Sequence, residues 1–535
     1  MDASLDILLE NTRVIDGSGQ GAFKGDVGVK GDQITYVGCS EKLEAKTRIS
    51  GEGLYLAPGF IDVHAHYDNV IFYDPVNFCK LSQGVTTEIS GNCGISMAPV
   101  SIHPPHRTLW KTFLERATGS KMPDNIEEYT SYDKYFKDVE KLSLAINVAY
   151  LVGQGAVRTA VMGFENRPAT SAELDHMKGL VRDAMSCGAL GLSTGLIFPP
   201  GIFTPQYELV ALCRVVREYG GVYTTHMRNE AQYVMDSLKE SIELARQADI
   251  PVQISHFKIN GKPNWGLSSK ALELIEKAIQ EGVNISVDMY PYTAGSTPLN
   301  FVIPPRYSEE GTAKMIEILS DKKNWPTIEE EMLNPKDGWD SYLLNCGYEG
   351  IIIMSATATP DAVGKTILQY AKDKGIKPIE ALFDIMVKNE GQGVAAWFMI
   401  GEEDLQNIMK SPYTMFGTDG VPVPEGATTH PRIMGSFPRV LGQYVREKGV
   451  LHLEEAVSRM TSLPAKKFGL KTKGLIREGW DADLILFDAD KIRDRADFSN
   501  CFAQNQGIKL VVVNGQIVIS ENSFIGNYAG RLLRI

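Results

Sequence analysis

The chain has 535 residues, 43% of them hydrophobic and 22% charged, with a formal net charge of −12. That length suits one large domain plus a satellite, and the composition is that of a globular protein, neither disordered nor fibrous. The acidic balance excludes a nucleic-acid or anionic-membrane surface, which needs concentrated Lys and Arg, but leaves room for an anionic small substrate met by a few local cations.

In chain order, the segment MDASLDILLENTRVIDGSG carries acids early and no basic region before an apolar run, so it does not read as a signal peptide. Residues 5–9, 26–30 and 33–39 read as short strands divided by Gly and Asp turns. The same style returns at 482–488, 508–514 and 516–519. The two β-rich flanks, 1–57 and 468–535, are expected to meet as one small β-sandwich domain.

The middle alternates helical patterns with short apolar runs. Thr170-Ser-Ala-Glu173 matches a capping box, and Leu174, Met177, Leu180, Val181, Ala184 and Met185 follow at helical spacing. A strand-like run at 189–196 comes next. Helical 236–247 precedes strand-like 251–257, and helical 272–280 precedes strand-like 283–289. That alternation implies a parallel sheet with crossover helices. Strand ends fall near His66, Cys93, Gln154, Ser193, His226, His256, Tyr290 and Asp419. Several neighbouring gaps are about 27–39 residues, the size of one βαβ unit. Extra helical sequence occupies the surroundings of 106–142, and the long gap from 290 to 419 holds an insertion near 298–350. Eight ends predict an α/β protein whose residues 58–467 form a (β/α)8, TIM-like barrel with its site at the strand C-termini. A doubly wound sheet is the alternative, but no Gly-rich nucleotide loop sits between a strand and a helix.

No run approaches ~18–20 uninterrupted apolar residues, so no transmembrane helix is expected. Seven cysteines, odd in number and without paired spacing, fit reduced thiols in a cytoplasmic protein. The sequon at Asn284-Ile-Ser286 lies in a strand that reads as buried, and chance accounts for it.

His64 and His66 stand two apart on a strand, so both face the same way as Asp62, while Ile61, Val63 and Ala65 face the other. One histidine there would be an ordinary hydrogen-bonded core residue; a pair after Ala57-Pro-Gly points to metal. His226 and His256 each end a strand-like run, giving four imidazoles on one face. His103 and His106 in a Pro-rich loop, His176 on a polar helix face and His452 at a helix start read as structural or solvated. Cys93, in Gly91-Asn-Cys-Gly94, reads as a thiolate ligand or nucleophile rather than a small buried hydrophobe. With histidines nearby, a Cys-His-His zinc set with one open position is chemically sensible. Asp419, in Phe416-Gly-Thr-Asp-Gly420, is either a turn residue or a carboxylate that binds an attacking water and relays its proton.

PGFIDVHAH, GVTTEISGNCGISMAP, GTDG, HPRIMGSFPRVLG, GLIREGWDADLILFD and VNGQIV together resemble the amidohydrolase superfamily over nearly the whole chain. GNCG and HPR…FPRVLG narrow the likeness to the N-acyl-D-amino-acid deacylases. The resemblance implies that Cys93, His226 and His256 hold a tight catalytic zinc. It implies that His64, His66 and Asp419 frame a second, weaker metal position, with Asp419 also the general base and acid. Many members of the superfamily bridge two metals with a carboxylated lysine from the fourth strand. Here that strand end reads Gly191-Leu-Ser-Thr-Gly195, and Cys93 takes the role. The resemblance further implies that Lys258, Tyr290, Ser296 and Arg432 meet a substrate carboxylate. Tyr67, after HAH, departs from the Asp common in bacterial relatives.

The activity implied is zinc-dependent hydrolysis of N-acyl-D-amino acids to a D-amino acid and a carboxylate. The expected partner is that small molecule, with no nucleic acid and no membrane. One rival is a cyclic-amide hydrolase of the hydantoinase or dihydropyrimidinase type. The other is a non-catalytic scaffold on the same fold, which predicts missing ligands where all six positions here are filled.

Overall fold

The computed structural model describes residues 4–39, 43–118, 120–308, 311–336, 338–421 and 428–535. Strands from both flanks join in one nine-stranded sheet. Leu5–Val14, Phe23–Lys30, Gln33–Gly38, Ala45–Ser50 and Tyr55–Pro58 come from the N-terminal flank, and Leu484–Phe487, Ile508–Val513, Gln516–Ser520 and Ser523–Phe524 from the other. The seam is Tyr55–Pro58 lying antiparallel to Leu484–Phe487, with Leu56 opposite Leu486 and Ala57 opposite Ile485. Alternating apolar positions are what drive it: Ile7, Leu9, Val27, Val29, Leu56, Leu484 and Val512 bury one shared core.

The middle holds two runs of parallel strands. Phe60–Asp62, Val85–Ser90 and Asn147–Tyr150 form one. Val152–Gly153, Gly191–Gly195, Val222–His226, Val252–Ile254, Ile285–Met289 and Thr414–Phe416 form the other, in that spatial order. The runs meet twice. On one side Leu151 N–H donates to Ser90 C=O at 2.9 Å and Leu190 N–H to Tyr150 C=O at 2.8 Å. On the other, Asp419 N–H donates to His64 C=O at 2.8 Å, beside a parallel bridge between Ala65 and Gly420. The crossover helices follow the sequence pattern closely. Thr170 caps Ser171–Ser186 with the reciprocal bonds of a capping box, Thr170 N–H to Glu173 Oε2 at 2.7 Å and Glu173 N–H to Thr170 Oγ1 at 3.3 Å. Met177, Val181, Ala184 and Met185 are the buried face of that helix. Among the described residues no helix is long and apolar enough to cross a membrane.

Between Ile285–Met289 and Thr414–Phe416 the chain builds a unit with its own core, centred on Leu299, Ile328, Ile353, Phe383 and Trp397. Its antiparallel sheet takes Gly295–Pro298, Val394–Trp397 and Ile351–Ser355 in that order. The central strand, Val394–Trp397, therefore lies beyond the span 298–350 that the sequence pattern picked out. Its four residues are too few to carry a periodicity.

Candidate active site

Every strand end singled out in the sequence lies on the same side of the parallel strands, and most of the candidate residues are buried there. His64 and His66 follow Phe60–Asp62, with ring centroids 5.3 Å apart. His256 follows Val252–Ile254 with its centroid 4.9 Å from His64 and 4.3 Å from His226. Cys93 follows Val85–Ser90 on a turn that only glycine could begin. A Cβ on Gly91, at φ +82°, would lie 2.1 Å from Leu151 C=O. The turn is fastened by Ser193, whose hydroxyl donates to Gly91 C=O and accepts from Gly94 N–H at 3.0 Å. The lysine-free fourth strand end thus holds up the thiol.

Cys93, His256 and Asp419 all adopt left-handed backbone, with φ of 54°, 35° and 46°. Each such residue costs on the order of 1–3 kcal/mol. Three together at one site mark a geometry kept for chemistry.

The Cys93 Sγ lies 3.4 Å from His64 Nε2 and 3.4 Å from His256 Nε2. Asp419 Oδ1 lies 3.2 Å from His66 Nε2 and 3.5 Å from His64 Nε2. Zinc bonds of about 2.1 Å to nitrogen and about 2.3 Å to sulfur place tetrahedral ligands roughly 3.5 Å apart, so the thiol and imidazole donors are spaced for a common ion. His226 Nε2 is buried without a hydrogen-bond partner. The compact donor groups among the described residues are His64–Cys93–His256, His64–His66–Asp419 and His226–Glu230–His256, each within 4.8 Å. The trio His64, His66 and Asp419 is brought together as a unit. Cys93, His226 and His256 are adjacent, but the tightest grouping around the thiol includes His64 in place of His226.

Electrostatics follow from this crowding. Burial alone would raise the Cys93 thiol; His64, His256 and the hydrogen bonds of His226 and His256 outweigh it and hold the thiol well below its ordinary range. Burial would likewise raise Asp419, yet Arg432, His64, His66 and His256 keep its carboxyl well below the carboxylate range. His66 is raised to about 9, because its bonds to Asp419 and Cys93 overcome the burial that opposes charge.

The four residues expected to meet a carboxylate divide. Arg432 Nη1 pairs with Asp419 Oδ2 at 2.8 Å, and its guanidinium lies 4.5 Å from the Tyr290 ring centroid. Lys258 Nζ lies 5.9 Å from the same centroid, which makes Tyr290 the floor under both cations. Ser296 sits on Gly295–Pro298 opposite Ala396, half-buried, and shares no hydrogen bond with the other described site residues. Lys258 is not a free cation: both Glu230 oxygens lie 2.6 Å from its Nζ. That ammonium makes the His226–Glu230–His256 group an ion-paired cluster, not a cation site.

Glu230, Asp288 and His430 escaped the sequence reading. Asp288 Oδ1 accepts from His256 N–H at 2.8 Å and lies 3.3 Å from His64 Nδ1. His430 is held neutral, first by burial and then by Arg432. Its Nε2 donates to Ala294 C=O at 2.9 Å and its Nδ1 accepts Arg432 N–H at 3.0 Å. The spacing His226-x3-Glu230 was the one available signal, since a carboxylate four residues after a strand-end histidine can return to it. His103, His176 and His452 are exposed and His106 is half-buried, all away from the cluster.

A profile described as "Amidohydrolase family" matches residues 49–326 and 353–519. The D-aminoacylase of Alcaligenes xylosoxydans xylosoxydans is 36% identical over 528 residues, covering 99% of this chain and 97% of its own. The N-acyl-D-glutamate deacylase of the same organism is 33% identical, covering 100% and 97%. The crystal structure of N-acyl-D-glutamate deacylase from Bordetella bronchiseptica, complexed with zinc and a phosphonate inhibitor, is similar with a TM-score of 0.82 at 30% identity. That match covers 99% of this chain and 100% of the other.

Proposed function

The chain belongs to the amidohydrolase family, and from that premise we propose that it hydrolyses the amide bond of N-acyl-D-amino acids, giving a D-amino acid and a carboxylate. It is a metal-dependent hydrolase of linear amides, with zinc as the metal. The observation that carries this reading is Cys93, a low-pKa thiol 3.4 Å from two imidazole nitrogens at a strand end. Such a soft, mixed donor set suits zinc. The fourth strand end, Gly191–Gly195, carries no lysine to bridge two metals, which sets the site apart from a cyclic-amide hydrolase.

Cys93, His226 and His256 would hold the tight zinc, and His64, His66 and Asp419 would frame a weaker position. When bound, zinc supplies Lewis acidity toward an acyl oxygen and lowers the pKa of a water. Asp419, ionised at neutral pH and facing His66, takes the proton of the attacking water and hands it to the leaving amine. Arg432, Lys258 and Tyr290 bind the substrate carboxylate, with Ser296 joining from the insertion; Arg432 supplies the bidentate fork. To do so the two cations must loosen from Asp419 and Glu230, so carboxylate binding and release of the base are coupled. Tyr290 also polarises the acyl carbonyl.

The parallel strands, with Asn147–Tyr150 and Val152–Gly153 taken as one strand interrupted at Leu151, close as an eight-stranded barrel over 58–467, flanked by a β-sandwich from 1–57 and 468–535. The bond from Asp419 N–H to His64 C=O and the Ala65–Gly420 bridge support this closure, and the site then occupies the C-terminal mouth. The insertion, read near 298–350 and extended by strand pairing to Trp397, lies over that mouth as a lid that excludes water. The described cysteines are all unpaired thiols, which suits a reducing, cytoplasmic setting.

The test is a panel of N-acyl-D- and N-acyl-L-amino acids assayed with added zinc, beside hydantoin and dihydrouracil. Turnover of D substrates, with the L forms and the rings left intact, is the expected result. Ring opening without deacylation would replace this reading by the cyclic-amide one, and a protein that takes up no metal would leave the scaffold.

A further inference from the structure

Glu230 is a carboxylate in a place where none was expected. It is 2% exposed, in the loop that follows Val222–His226, and burying a carboxylate there is costly unless its charge is used. Its Oε1 lies 3.0 Å from His256 Nδ1, its Oε2 lies 3.6 Å from His226 Nε2, and both oxygens take the Lys258 ammonium at 2.6 Å. The backbone is pinned as well: Glu230 N–H donates to Asp340 Oδ2 at 3.2 Å, a residue of the insertion.

His256 presents one ring nitrogen to Cys93 and the other to Glu230. A neutral imidazole carries a single N–H, and a carboxylate can only accept. Lys258 complicates the choice, because its Nζ also lies 2.8 Å from His256 Nδ1. An ammonium donating to Nδ1 would drive the ring proton to Nε2, the side facing the thiol. Glu230 removes that conflict by drawing both the ammonium and the Nδ1–H onto itself. The same carboxylate stands 3.6 Å from Nε2 of His226, beyond hydrogen-bond distance.

We propose that Glu230 is a positioning residue. It fixes His256 as the Nδ1–H tautomer, so that the Nε2 facing Cys93 carries a free lone pair, and it does this by diverting Lys258. The inference rests on the zinc reading above and adds to it how the ligands are prepared before any metal arrives. Outer partners of this kind typically change metal affinity 10–100-fold.

The experiment uses full-length wild type and Glu230→Gln, each stripped of metal. Zinc affinity is measured by competition with a chromophoric chelator, the tautomer from histidine ring 15N shifts in 15N-histidine-labelled protein, and folding from the thermal midpoint. We expect Glu230→Gln to lose about 10–100-fold in zinc affinity and to move His256 from Nδ1–H to Nε2–H, in protein that is still folded at the temperature of measurement although its midpoint falls, because Lys258 loses its buried counter-charge. Equal affinities, or a loss of affinity with the tautomer unaltered, overturn the proposal. Should Glu230→Gln fail to accumulate, the metal-free wild type decides alone: Nδ1–H at His256 supports the role and Nε2–H overturns it. Wild-type protein that takes up no zinc overturns the hydrolase reading together with this one, whereas zinc-binding wild type with an indifferent variant overturns this one only.

Discussion

Lys80 and Asp62 form an ion pair in which neither side chain has any solvent exposure, directly below the point where the first and last parallel strands meet. Asp62 Oδ1 accepts from His64 N–H and from Thr418 N–H, both at 3.0 Å, and its Oδ2 accepts from Thr418 Oγ1 at 2.7 Å. One carboxylate therefore ties the backbone of the first metal-facing histidine to that of the residue before Asp419.

Removing the cation should be expensive. Lys80→Met leaves Asp62 buried and unpaired, a change expected to cost about 3–5 kcal/mol. A fall of several degrees in the thermal midpoint, with poorer soluble yield, is the expected reading. A midpoint equal to that of wild type would show that the pair carries no stability.

Asp419→Asn keeps the size of the side chain and removes its capacity to take a proton. Turnover should drop by about 10²–10⁴-fold while zinc per chain stays near wild type. Substantial retained activity at full metal content would rule Asp419 out as the general base.

Cys93→Ala takes away the thiolate that faces His64 and His256. Zinc affinity should fall by more than the about 10–100-fold attached to outer partners, so that the zinc retained after dialysis drops in step with activity. An unchanged metal-to-protein ratio would refute the ligand role.

Glu88 supplies a pH-dependent stability term away from the ligands. Burial pushes its carboxyl up from 4.5 to about 8, with Lys80 and the Asn77 amide opposing and Asp62 assisting. The folded protein therefore holds this proton more tightly than the unfolded chain. The resulting stability is complete below about pH 4.5 and is lost as pH rises through about 8. Glu88→Gln, which keeps the 2.9 Å contact with Asn77 within reach, should gain on wild type across that window. Thermal midpoints of both proteins against pH would test it, and a difference that stays constant with pH would exclude Glu88 as the source.

Much of this architecture was legible. The eight strand ends and the capping box at Thr170 came from apolar periodicity and local hydrogen-bond chemistry, which act over a few residues. The histidines and Cys93 were legible because imidazole and thiol at strand ends have few structural uses. Glu230, Lys80 and Asp288 were not, because a charged residue in a sequence reads as solvated until the fold supplies the partner that buries it. Lys258 was legible as a cation facing the site, but not as one already engaged by Glu230. Which side chains meet across strands is a long-range property that no local pattern encodes.

The seam between Tyr55–Pro58 and Leu484–Phe487 also has a meaning in time. A ribosome adding about 5–20 residues per second needs roughly tens of seconds to make the stretch between those strands. Throughout that interval the early strands wait without their partner, an open β-edge on a nascent chain. The waiting edge, Tyr55–Pro58, is only four residues long, and so short an edge offers little backbone for strand-to-strand sticking between chains on crowded polysomes.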